Sequence, residues 1–213
     1  MSQLATQLDQ LLAQVLRDFQ EKNAAREKAL HNSREVVRHS ANAIRAVHRG
    51  DMEAANTLIN QAATLLREAD EALLNHPDIY HAGFVHDAQK EYAEACITKA
   101  VVSEQPLPDP TTLSVPWAAY LNGAGEAVGE LRRQVLDRLR LGETKRCEEL
   151  LAAMDDIYAV LVAVDFPDAM TGGLRRTADS TRGILERTRG DLTVAIVQNS
   201  LQQRLENLNE RLT

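Results

Sequence analysis

Apolar residues recur at helical spacing along the first part of the chain. Leu4, Leu8, Leu11, Leu12, Val15 and Phe19 follow one another at intervals that keep them on one stripe of an α-helix. The same period continues through Leu30, Val36, Val37, Ile44 and Val47 until Arg49 to Asp51 interrupts it, so this stretch reads as one very long helix or two in tandem. A second helix runs from about Met52 to Leu74 and ends ahead of Pro77, which biases Asn75 and His76 away from helical dihedrals. A third covers about Ile79 to Ser103. Pro106 to Pro116 holds four prolines and reads as a stiff, extended linker. A fourth helix spans about Trp117 to Leu141 and is stopped by Gly142. A fifth starts at Glu143 and ends at Asp165 to Pro167, and Thr171 to Leu212 supplies one or two more. No stretch alternates with period two over enough residues to make a strand, and no internal repeat is visible. The pattern predicts an all-α helical bundle formed as one domain over residues 1–213.

Composition agrees with helix and narrows the setting. Hydrophobic residues make up 44% and charged residues 26%, as in a soluble globular protein, while aromatics are only 4% and Ala, Leu, Arg and Glu dominate. The opening "MSQLATQLDQLLAQ" lacks the basic start and apolar run of a signal peptide. No apolar segment approaches the roughly 20 residues that span a bilayer, so no membrane association and a cytoplasmic location are expected. Cys96 and Cys147 sit inside helical patterns without metal-ligand spacing, which favours buried reduced thiols over a disulfide.

The net charge of −7 argues against a nucleic-acid partner unless basic groups gather on one face. In the first helix they do. At about 100° per residue, His31, Arg34, Arg38, Arg45 and Arg49 share one face, opposite Leu30, Val36, Val37, Ile44 and Val47. That face holds little Asp or Glu. It is either a solvated amphipathic surface or a phosphate-binding one.

Two carboxylate pairs bear on chemistry. In "KEYAEA", Glu91 and Glu94 are one helical turn apart, and in "YLNGAGEAVGELRR" Glu126 and Glu130 repeat the arrangement. Like charges so close are either solvated surface groups or held by a cation. Gly123, Gly125 and Gly129 surround the second pair, and each weakens a helix by about 1 kcal/mol relative to Ala. Something must therefore approach closely, either another helix or a substrate backbone. Two helices each offering a carboxylate pair can supply the oxygen ligands that Mg²⁺ or Mn²⁺ requires. Two ordinary polar faces are the plain alternative, since Glu is abundant. A di-iron bundle is disfavoured because neither pair carries the ExxH spacing. Nearby, His86 either faces the same cavity or packs elsewhere, and Asp87 either adds a ligand or extends the acidic face. Tyr80 and His81 either stack on a base or serve core and surface.

The residues also resemble a known family. "REKALHNSREVVRHSANAIRAVHRGD", Arg26 to Asp51, resembles the basic N-terminal signature of the translin family. "KEYAEA", Lys90 to Ala95, is similar to the "QEYVEA" of that family's catalytic member, translin-associated factor X. "YLNGAGEAVGELRR", Tyr120 to Arg133, is similar to its "YLLGVADLTGELMR". The three motifs occur in order from about residue 20 onwards. The resemblance implies an all-α fold of about seven helices that assembles into a closed, barrel-like oligomer, commonly an octamer, around RNA. It further implies a Mg²⁺-dependent endoribonuclease acting on single-stranded RNA, with Glu91, Glu94, Glu126 and Glu130 as the metal-binding and catalytic set. Glu126 replaces the family's Asp, which keeps the charge but moves the carboxylate outward. Translin itself lacks this acidic set, so its presence places this chain nearer the catalytic member; a non-catalytic translin-like protein that binds single-stranded RNA or DNA, with the carboxylates left empty, is the alternative. Self-association is also expected from the wide apolar arc of the fifth helix, Leu150, Leu151, Met154, Ile157, Tyr158, Val160, Leu161 and Val164.

Overall fold

The structure, a computed structural model, describes residues 3–212. Its first element, α1 (Gln3–His48), is a single 46-residue helix. Neither Pro nor Gly occurs within it to break the backbone ladder. Gly50 turns the chain at a φ of 77°. Asp51 then caps α2 (Met52–Ala72), its carboxylate accepting a hydrogen bond from the Ala54 amide at 3.0 Å.

The third helix predicted from about Ile79 divides in two. Pro77–Tyr80 forms a single turn, α3, and α4 (Phe84–Val102) starts only after Gly83, whose φ of 103° stops helical propagation. The proline-rich linker is not extended throughout, because Asp109 accepts from the Thr112 amide at 2.9 Å and starts a turn at α5 (Pro110–Leu113). Then come α6 (Trp117–Leu139), α7 (Thr144–Ala163), α8 (Asp168–Thr171) and α9 (Leu174–Leu212). The protein is all-α: nine helical segments and no strand occur among the described residues. About seven were expected; three of the nine, α3, α5 and α8, have four residues each and are too short to carry a periodic signal, which leaves six longer helices.

Helices α4 and α6 pack against each other at the centre, α1 and α2 flank α4, and α7 and α9 flank α6. Val36, Ile44, Leu66, Tyr92 and Cys96 fill the space between α1, α2 and α4. Val128, Leu131, Val135, Leu150, Met154 and Leu185 do the same for α6, α7 and α9. Being enclosed on several sides, α4 buries residues around most of its circumference, Glu94 among them. Cys96 and Cys147 are buried free thiols. Among the described residues no helix is long and apolar enough to cross a membrane.

The apolar arc of α7 is less available than its sequence pattern suggests. Leu150, Met154 and Leu161 are covered by α6 and α9, and Val160 is left exposed. Exposed apolar rows lie instead along the first turns of α1, at Leu4, Leu8, Leu11 and Phe19, and the last turns of α9, at Val197, Leu201, Leu205 and Leu208.

Candidate functional site

The glycines of α6 set the geometry. A Cβ on Gly123 would lie 2.6 Å from the Lys90 carbonyl oxygen and 3.0 Å from the Ala93 Cβ, and one on Gly125 would overlap the Thr177 side chain. Gly123 thus admits the backbone of α4 and Gly125 admits α9. Gly129 meets only the end of Ile184, at 3.9 Å. The close approach expected from these residues is made by two helices, and it brings carboxylates from α4 and α6 to one place.

Glu91 and Glu94 of α4 and Glu126 of α6 each offer an oxygen within 4.8 Å of the others. Glu94 is only 8% exposed. Burial above all, and then the charges of Glu91, Glu126 and Glu130, push its carboxyl up to about 8, and Lys90 offsets only part of this. Glu91 is raised as well, first by burial and then by Glu126. Without a cation the trio therefore tends to hold a proton at neutral pH. A hard divalent cation fits it, since three convergent carboxylates supply oxygen donors and the cation relieves their repulsion.

Glu130 stands outside that trio. Its Oε2 is bound by Nε2 of His48, which is buried at the end of α1. On the other side of the ring, Gln134 Nε2 lies 2.8 Å from His48 Nδ1. With the Gln134 amide donating to Nδ1, the proton sits on Nε2 and is directed at Glu130. The His48 hydrogen bond holds the Glu130 carboxyl below its usual range. Glu126 is engaged too, its Oε1 accepting from Lys90 Nζ at 2.7 Å. Burial works against the Lys90 charge, but the bond to Glu126 and the surrounding acids raise its pKa overall.

Sequence reasoning missed His48 and Lys90. His48 opens the terminal "HR" of the N-terminal signature, yet it lies 82 positions from Glu130, and only the packing of α1 brings them together. Lys90 directly precedes Glu91, and neighbouring positions on one helix do not face each other, so only the crossing of α6 reveals its partner.

The other residues near the start of α4 have structural surroundings. His86 Nε2 lies where a Cβ on Gly172 would reach, 3.0 Å away, beside the α8–α9 turn. Asp87 is exposed and acts on Glu91 through its charge. Tyr80 accepts from Gln89 Nε2 at 2.9 Å, tying α3 to α4, and its pKa is raised first by burial and then by the nearby Asp70 carboxyl of α2. His81 sits edge-on to Tyr80.

His31, Arg34, Arg38, Arg45 and Arg49 are all exposed, with Val36, Ile44 and Val47 buried on the opposite side of α1. The face is less purely basic than its pattern suggests. Arg38 is paired with Glu35, and Arg45 donates to Asn42 Oδ1 at 2.8 Å. Beside the acidic trio runs a groove of about 470 Å³, with Glu94 and Glu126 on one wall and Arg176, Thr177, Ser180 and Thr181 of α9 on the other. No sequence motif marks that stretch of α9.

No family model matches the chain. It is 28% identical over 189 residues to an uncharacterized protein of Methanocaldococcus jannaschii, spanning 88% of this chain and 83% of that one. Two structures of the archaeal AfC3PO, one of them a complex with duplex RNA, superpose with TM-scores of 0.80 and 0.81 at 37% identity. They match over 88% of this chain and 97% of theirs. Apo-NeC3PO, from Nematostella, superposes with a TM-score of 0.79 at 20% identity over 86% of this chain and 96% of its own, a likeness of fold.

Proposed function

The chain belongs to the translin family, and from that premise we propose that it is a Mg²⁺-dependent endoribonuclease cutting single-stranded RNA within a homo-octamer, with Mn²⁺ able to substitute. The observation that carries this reading is the convergence of Glu91, Glu94 and Glu126 from two crossing helices. The duplex RNA bound to AfC3PO supports RNA as the ligand class. Burial of the two cysteines as free thiols suits a cytoplasmic setting.

In this reading Glu91, Glu94 and Glu126 hold the cation, and Glu130 stands next to them with its orientation fixed by His48. When bound, the cation supplies charge stabilisation at the phosphoryl group and lowers the pKa of water. The protein's own residues do the rest. Glu94 is screened from solvent by α6. Lys90 holds Glu126 and places a positive charge where the phosphate arrives. His31, Arg34, Arg38, Arg45 and Arg49 offer phosphate contacts along the strand.

One observation favours a second reading, a non-catalytic protein that binds single-stranded RNA or DNA. Lys90 on Glu126 and His48 on Glu130 already satisfy two of the four carboxylates without a metal. Labelled single-stranded and duplex RNA, incubated with Mg²⁺ or with chelator, separate the two. The nuclease reading expects cut products in Mg²⁺ and none in chelator. Glu91→Gln and Glu94→Gln should lower cleavage on the order of 100-fold or more while RNA binding persists. Binding without cleavage in Mg²⁺ would establish the second reading instead.

A further inference from the structure

The groove beside the trio has a wall that the proposed chemistry leaves unused. Arg176 and Ser180 are four positions apart on α9, so their side chains share one face, and both line the groove opposite Glu94 and Glu126. Three other arginines of α9 are engaged. Arg175 pairs with Asp165 at 3.1 Å, Arg182 with Glu186 at 3.0 Å and Arg189 with Asp155 at 2.6 Å. Among the described residues Arg176 has no acidic partner, although two carboxylates line the same groove.

The hydroxyls divide in the same way. Thr177 Oγ1 donates to Asn122 Oδ1 at 2.5 Å and Thr181 Oγ1 to the Thr177 carbonyl at 2.8 Å, so both are spent on holding α9 together and against α6. Ser180 has no such commitment among the described residues. The uncommitted donors are therefore one guanidinium and one hydroxyl on a single face. Their placement relative to the acids is fixed, because Gly125 lets Thr177 of α9 pack directly onto α6 one residue from Glu126. A guanidinium fork matches two phosphate oxygens, and a serine hydroxyl adds a third donor. The groove volume lies within the range of small-ligand sites.

We infer that Arg176 and Ser180 form a phosphate subsite for the RNA backbone, gripping a non-scissile phosphate next to the one presented to Glu91, Glu94 and Glu126. The inference rests on the nuclease reading of that trio. It assigns α9 a direct role in substrate binding, separate from the basic face of α1. A contact to a phosphate that does not react strengthens ground state and transition state alike, so it acts on KM and leaves kcat unchanged.

The test is the full-length protein with fluorescein-labelled oligouridylate. Anisotropy in chelator gives the Kd, and cleavage in Mg²⁺ gives kcat and KM. Arg176→Ala should raise Kd and KM about tenfold and flatten the slope of log affinity against log salt by about 0.7. Its kcat and its affinity for Mn²⁺ should stay at the wild-type values. Ser180→Ala should act in the same direction and more weakly, and Arg176→Lys should recover part of the loss. Since Arg176 is exposed, the melting temperature should hold. A wild type that cuts RNA alongside an Arg176→Ala variant with unchanged Kd, KM and salt slope overturns the subsite and leaves the nuclease reading standing. Lost Mn²⁺ affinity, or a fall in kcat alone, also overturns it by assigning Arg176 to the metal cluster. Weakened binding of uridine monophosphate with undiminished RNA affinity overturns it by placing the pair at a product end. A wild type that binds RNA without cutting defeats the nuclease reading, yet its salt slope still reads out the subsite. One that neither binds nor cuts overturns both.

Discussion

At Glu94, burial and like charge act in the same direction. The unfolded chain releases this proton near 4.5, while the folded protein keeps it up to about 8. Between those values the folded state binds a proton that the unfolded state lacks, so stability falls as pH rises through the window and levels off above it. Asp70 adds a separate slope at lower pH, since burial raises its carboxyl from 3.8 to about 6. The interval between about pH 6 and 8 is thus the one that reports on Glu94. Denaturant unfolding in chelator should show stability falling across it. Glu94→Gln should flatten that fall and make the metal-free protein more stable at about pH 8, by about 1 kcal/mol or more, which corresponds to about 2–4 °C in melting temperature. Mg²⁺ should flatten the wild-type curve as well, by keeping the carboxylates ionised. A wild-type stability that is level or rising over this interval in chelator would show that Glu94 is ionised without metal. The side-chain pattern foretold the pair at 91 and 94 but not this environment, because burial of Glu94 depends on what α6 lays over it.

The elements were legible where the signal was long. The periodicity of α1 survives 46 residues, and the breakers at Gly50, Pro77 and Gly142 each fall where a long helix ends. What could not be read was which helices touch. Gly123, Gly125 and Gly129 look alike in the sequence, yet they face the α4 backbone, a side chain of α9 and nearly open space respectively. That difference gives substitutions of opposite sign. Gly123→Ala places a methyl against the Lys90 carbonyl, which cannot move without shifting α4. It should cost about 1–3 kcal/mol, and it should weaken Mn²⁺ binding by moving Glu126 away from Glu94. Gly129→Ala meets only ordinary contact and should gain up to about 1 kcal/mol from helix propensity. Chemical denaturation of the two variants, with Mn²⁺ titration of the first, checks both. Equal effects at the two positions would mean that α4 and α6 are not in backbone contact at Gly123.

For the whole molecule, the question is what covers the apolar ends of its two longest helices. The expectation of self-association drew on α7, whose arc the neighbouring helices cover in part, leaving Val160 exposed, and longer open apolar rows lie on two other helices. Leu8, Leu11 and Leu12 on α1, and Leu201, Leu205 and Leu208 on α9, are each more than half exposed. Leu8, Leu11 and Val15, like Leu201, Leu205 and Leu208, alternate three and four positions, the spacing by which helices pair side by side. Rows of this kind are larger than the scattered apolar residues that monomers ordinarily show to water. Further copies of the chain, as in the proposed octamer, are the occupant to test. Light scattering at micromolar concentration should give a mass several times the 23.6 kDa chain, and about eightfold for the octamer. Leu8→Glu combined with Leu11→Glu should lower that mass while far-ultraviolet circular dichroism and melting of the helical body change little, because exposed substitutions cost only about 0.5 kcal/mol each. An undiminished mass in the double variant would remove α1 from the interface, and a wild-type monomer would remove the assembly altogether.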